Sequence, residues 1–147
     1  MSEKNYDPRM HTTEHILNQT MVRRFGCPRS ANSHIEKRKS KCDYILPTEP
    51  SAQTMADIEN EVNSIISANL AITDENITQA EAREFLDLSK LPPDAPETIR
   101  VVRVGGYDAC ACIGPHVKNT SEIGIFKITS HSWTNGTLRV RFKLFNQ

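Results

Sequence analysis

The sequence predicts an α+β fold, a single two-layer domain over residues 1–147 with helices packed on a largely antiparallel β-sheet. Three observations carry this. Apolar residues recur at helical spacing in the first half of the chain, β-branched and alternating segments concentrate after Ile99, and 147 residues with 37% hydrophobic content suit one core.

Asp7-Pro8 reads as an N-cap followed by proline at the first helical position, and Ile16, Leu17, Met21, Val22 and Phe25 continue the helix to Gly26. Ala31 to Glu36 and Lys41 to Leu46 flank a basic turn, which predicts a hairpin. Pro47 and Pro50 break the chain, after which Ser51 caps a second helix with Met55, Ile58, Val62, Ile65 and Ile66 on its buried face, ending near Leu70. Thr78 and Glu81 form a capping box that opens a third helix through Phe85 and Leu88, before Pro92-Pro93. Ile99 to Val104 reads as a strand, Gly105-Gly106 as a turn or bulge, and Ile123 to Thr129 with Leu138 to Phe145 as antiparallel strands around Asn135-Gly136.

The N-terminal Met1-Ser2-Glu3-Lys4-Asn5 lacks the apolar region of a signal peptide, and nothing approaches the roughly 18 apolar residues of a membrane span. A soluble protein acting in the cytoplasm is expected, with no obligate protein partner evident. The four cysteines lack the density of a disulfide framework and remain available as thiols for metal. Net charge is zero, yet the segment from Glu49 to Glu97 carries −9 from eleven acids and two bases, leaving +9 elsewhere. Clusters at Lys37-Arg38-Lys39 with Lys41, and at Arg139, Arg141 and Lys143, can meet phosphates or simply be solvated charge.

His11 and His15 lie four apart on the first helix, so both imidazoles project from one face and can reach one ion. The zinc-protease helix motif is excluded, because Thr12 rather than glutamate follows His11. Downstream, Cys112-Ile113-Gly114-Pro115-His116 supplies a thiolate and an imidazole across a Gly-Pro turn. Three nitrogens and one sulfur suit zinc, making His11, His15, Cys112 and His116 the expected ligands. Cys110, two residues before Cys112 on the same side of a strand, is the alternative thiolate, read first as packed core. His34 and His131 fall in strands without partners at ligand spacing.

These motifs, with Gly105-Gly106, the run from Val117 to Gly124 and the run from Ser33 to Tyr44, resemble the editing domain shared by alanyl-tRNA and threonyl-tRNA synthetases. The likeness extends over nearly the whole chain and is nearest to the free-standing AlaX-type editing proteins. The resemblance implies the synthetase editing-domain fold and a zinc-dependent deacylase acting in trans on mischarged tRNA. It implies Ser-tRNA(Ala) as substrate, with Gly-tRNA(Ala) beside it; Ser-tRNA(Thr) editing and a non-catalytic, zinc-stapled RNA-binding module are the alternatives.

Ester cleavage needs an activated water and stabilisation of a developing oxyanion. Glu14 stands where the synthetase pattern has threonine and lies three residues after His11. It can orient water or bind the substrate ammonium, and is the expected catalytic residue; the same position also suits a solvated carboxylate near a helix start. Thr12, Thr13 and Ser33 offer hydroxyls for a serine substrate or for local backbone capping.

Overall fold

Asp7 accepts hydrogen bonds from the backbone N–H groups of Arg9 (2.9 Å) and Met10 (3.2 Å), a cap of the kind that stabilises a helix by about 1 kcal/mol. Helix α1 (Pro8–Phe25) starts there and closes on Gly26, whose φ of 69° a side-chain-bearing residue rarely adopts. The computed structural model describes residues 7–30, 32–88, 91 and 93–146. Ala31, where the first strand is expected to begin, Pro92 of the double-proline break, Lys90 and Met1-Asn5 lie outside the described residues.

The remaining elements are β1 (Asn32–Ile35), β2 (Ser40–Ile45), α2 (Ala52–Ser67), β3 (Ile72–Thr78), α3 (Gln79–Ala82), β4 (Thr98–Val104), β5 (Asp108–Ala111), a 3-10 turn (Thr120–Glu122), β6 (Ile125–Thr134) and β7 (Thr137–Phe145). This is the α+β fold expected, with every described strand pairing antiparallel. The strands divide into two sheets, β1-β2-β7-β6 and β3-β4-β5. Asn135 and Gly136 both take positive φ and join β6 to β7, the backbone that a two-residue hairpin with right-handed strand twist requires.

Helix α1 buries Met10, Ile16, Leu17 and Met21 in one core with Met55, Ile58, Val62 and Ile66 of α2 and with Cys42, Tyr44, Leu138, Val140 and Phe142 of the four-stranded sheet. Each fully buried large aliphatic side chain contributes about 1.5–3 kcal/mol. A smaller cluster of Ala82, Ile99 and Val101 serves the second sheet.

Three expectations are corrected. The third helix is one turn, Gln79–Ala82; its capping box forms as expected, but the chain leaves the helix at Arg83. Leu86 and Leu88 pack on the small second cluster instead, and Phe85 stays exposed under the Arg103 guanidinium, 4.8 Å from its ring centre. Strand β3 was not expected, because its Asp74, Glu75 and Asn76 give no apolar signal at an exposed sheet edge. Strand β6 starts at Ile125, not Ile123, and runs on to Thr134, with a register shift between Ile128 and Ser130 that breaks the alternation.

Candidate metal centre

Helix α1 carries His11 and His15 inward, one turn apart, both 4% exposed. Strand β5 leads into the loop holding Cys112 and His116, and Arg100 of β4 clamps that loop by donating from Nη1 to the carbonyl oxygens of Cys112 (3.1 Å) and Gly114 (2.8 Å). The loop lies against α1: a Cβ on Gly114 would sit 2.7 Å from His11 Nδ1 and closer still to Cε1. Only glycine lets the backbone pass this close to the imidazole.

The four predicted ligands converge. Their donor atoms all lie within 4.8 Å of one another, an arrangement that can hold a metal ion. Cys112 Sγ is 3.4 Å from His11 Nε2 and 3.6 Å from His116 Nε2. A tetrahedral zinc with bonds of about 2.0 Å to nitrogen and 2.3 Å to sulfur would set those separations at about 3.5 Å. The His11 and His116 rings stack with centres 4.2 Å apart, and His15 meets them edge-on at 5.0 and 4.5 Å.

The far side of each imidazole fixes its orientation. His11 Nδ1 donates to the Pro115 carbonyl at 3.0 Å, which leaves the Nε2 lone pair for the centre. His116 Nδ1 is 2.9 Å from Thr12 Oγ1, and that oxygen also accepts from the Val117 N–H at 3.2 Å. His15 Nδ1 is buried, makes no hydrogen bond among the described residues and lies 3.5 Å from Asp108 Oδ2. Asp108 is itself held by Arg29 Nη1 (2.7 Å) and Gln19 Nε2 (2.9 Å). Burial opposes its charge, but His15 and Arg29 keep the carboxyl below the usual range.

The electrostatics favour a thiolate. Burial would raise the Cys112 pKa, but the three imidazoles around it pull it down to about 3. Burial works against a charged His15, yet Asp108 and Cys112 lift it to about 9. His116 is held below its ordinary value by burial and by its two neighbouring histidines. Cys110 stays outside the cluster, its thiol pushed up to about 11 chiefly by burial.

Glu14 reaches the rim of the centre, with Oε1 3.8 Å from His11 Nε2 and its side chain 15% exposed. Thr12 is engaged with His116 and Val117 as described. Thr13 is buried and donates to the Arg9 carbonyl at 2.7 Å. Ser33 Oγ is 2.7 Å from Ser30 Oγ and 3.6 Å from Cys42 Sγ. His34 pairs with Glu36, and His131 is exposed on β6.

Asp108, Arg29 and Gln19 escape a reading by motif. The one signal for them is an aspartate opening a short apolar strand, where burial demands partners. Asp108→Asn keeps the shape but weakens the hold on His15, so metal affinity is expected to fall 10- to 100-fold, with a lower melting temperature because Arg29 loses its counter-charge. Competition against a chromophoric chelator checks this; unchanged affinity would leave Asp108 a purely structural partner of Arg29.

Residues 99–140 match the family described as the second additional domain of threonyl and alanyl tRNA synthetases. The chain is 34% identical over 132 residues to the alanine-tRNA ligase of Exiguobacterium sibiricum, which covers 88% of this chain. The chain is similar over most of its length to one segment of alanine-tRNA ligases. Comparable relatives are the alanine-tRNA ligases of Bacillus subtilis, 32% identical over 132 residues, and Ligilactobacillus salivarius, 34% over 131, each again covering 88% of the chain. The chain spans 15% of the length of each of these ligases. The matched family segment includes β4 from Ile99 on, β5 and the Cys112–His116 loop, so Cys112 and His116 lie inside it; His11 and His15 come from outside. No helix among the described residues is long and apolar enough to cross a membrane.

Proposed function

We propose that the chain hydrolyses mischarged aminoacyl-tRNA in trans, as a single editing domain with one zinc ion held by His11, His15, Cys112 and His116. The observation that carries the reading is the four-donor cluster with Glu14 on its rim, in a chain related over most of its length to a segment of alanine-tRNA ligases. Zinc held there supplies a fixed positive charge able to polarise an ester and to favour ionisation of water near neutral pH.

The chain's own groups do the rest. Pro115, Thr12 and Asp108 hold the three imidazoles in orientation, and the Arg100 clamp fixes the loop. Glu14 takes a proton from the attacking water as its oxygen bonds to the ester carbon. The bond to the ribose oxygen then breaks, and the proton passes to that oxygen, giving free amino acid and uncharged tRNA. Ser-tRNA(Ala) is the substrate proposed, with Gly-tRNA(Ala) second and Ser-tRNA(Thr) the alternative. Thr12, Thr13 and Ser33 are the hydroxyl candidates for the seryl side chain. All three hydroxyls already hold partners within the chain, Thr12 with His116 and Val117, Thr13 with Arg9, and Ser33 with Ser30 and Cys42. One feature favours a second reading: four protein ligands fill a tetrahedral sphere, as structural zinc sites do, and this would suit a non-catalytic RNA-binding module.

Deacylation of Ser-tRNA(Ala), Gly-tRNA(Ala), Ser-tRNA(Thr) and correctly charged Ala-tRNA(Ala) separates these readings. Release of serine from the first, with Ala-tRNA(Ala) spared and Glu14→Gln slowed by at least a hundredfold, is the expected pattern, in line with the 10²–10⁴-fold worth of a general base. Binding of tRNA without release from any of the four would establish the non-catalytic module instead.

A further inference from the structure

The outer face of the four-stranded sheet carries none of the metal ligands. Along β7, Arg139, Arg141 and Lys143 alternate with buried Leu138, Val140 and Phe142, so the three cations share one face. The register sets Lys41 directly opposite Arg141 and Lys127 directly opposite Lys143. Like charges in directly opposed positions destabilise an antiparallel pair. Two such pairs side by side on one face are therefore a cost to the sheet, which a bound anion would offset.

Part of the charge is already neutralised. Arg139 grips Asp43 through two bonds of 2.9 and 3.0 Å, and Lys127 leans toward Glu59 at 3.8 Å. Arg141, Lys143 and Lys39 make no ion pair among the described residues, and Lys41 reaches Asp43 only at 4.0 Å. These four cations line one shallow cavity of about 330 Å³, with His34, Glu36, Ser40 and Thr129 completing its wall. The row along β7 ends on half-exposed Phe145, which offers a flat face for an unpaired base.

We infer that this face binds the phosphates of an RNA chain, and that it holds the body of the tRNA whose aminoacylated end reaches the metal centre. The inference rests on the deacylase reading for the identity of that RNA. Backbone contacts of this kind position a nucleic acid without reading its sequence. The strongly acidic stretch between Glu49 and Glu97 would repel the same phosphates and so favour one orientation.

The test is binding of uncharged tRNA across a salt series, comparing wild type with the double variant Arg141→Gln, Lys143→Gln and with Arg103→Gln, which alters a cation of the other sheet. Each lost phosphate contact flattens the plot of log affinity against log salt by about 0.7–0.9. The double variant is expected to bind at least roughly tenfold more weakly, with a slope shallower by about 1.5, while Arg103→Gln matches wild type. It should also cleave seryl-adenosine, an ester without phosphates, at the wild-type rate, which shows that its fold is intact. An unchanged salt slope would overturn the inference, as would equal losses in Arg103→Gln, or binding to phosphatidylserine vesicles without binding to tRNA. If wild type binds tRNA with the expected slope but cleaves neither ester, the deacylase reading fails while this surface stands.

Discussion

Cys112→Ala is expected to lower zinc affinity by more than a hundredfold and to abolish deacylation, while the chain stays folded. Loss of a group that only orients a ligand costs 10- to 100-fold, so loss of the ligand itself must exceed that. Cys112 is also the hub of the cluster: His11 and His116 both approach its sulfur within 3.6 Å, and the surrounding imidazoles favour its thiolate. The fold should survive because the main core of α1, α2 and the four-stranded sheet does not include this residue. Cys110→Ala provides the comparison. Its thiol lies outside the cluster and is held protonated by burial, so zinc content should not change. Metal analysis of the two purified variants decides between the thiols; full zinc in Cys112→Ala would assign the ligand elsewhere.

Gly114→Ala is expected to damage the centre without touching a ligand. The added methyl carbon would press on the His11 ring, 2.7 Å from Nδ1 and nearer to Cε1, a separation that forces either the imidazole or the loop to move. The loop cannot yield freely, since Arg100 holds the Gly114 carbonyl and His11 holds that of Pro115. Overpacking of this kind costs about 1–3 kcal/mol, which corresponds to roughly 5- to 150-fold in zinc affinity if it falls on the bound geometry. Gly106→Ala is the control, because nothing lies within 4 Å of a Cβ there. Calorimetric zinc titration of both variants should show a loss only for Gly114→Ala. Equal affinities would mean that the loop relaxes at no cost.

The parts legible in the sequence are those with local causes. Two histidines four apart need only a helix to share a face, and Asp7-Pro8 with Gly26 supplied unmistakable ends for it. The Cys112–His116 turn was visible because a thiol and an imidazole flank Gly-Pro. What stayed hidden depends on the tertiary arrangement. Asp108 has no spacing relation to His15, and only the packing of β5 beside α1 brings them together. The split into two sheets was equally invisible, since pairing between β3 and β4 is decided by an edge strand whose middle is polar. Phe85 and Leu88 imitated the helical period that follows a sound capping box, but Leu88 packs on the second cluster and Phe85 stays exposed. Glu14 stood out as a departure from a family pattern, and its place beside His11 follows from the i, i+3 geometry of α1.

Zinc-dependent release of serine from Ser-tRNA(Ala) is the most direct measurement. The purified chain should release serine, lose that activity when zinc is stripped by a chelator, and regain it on addition of one equivalent of zinc. Release that continues undiminished in the stripped protein, or no release with zinc fully loaded, would contradict the assignment of this four-residue centre to aminoacyl-tRNA hydrolysis.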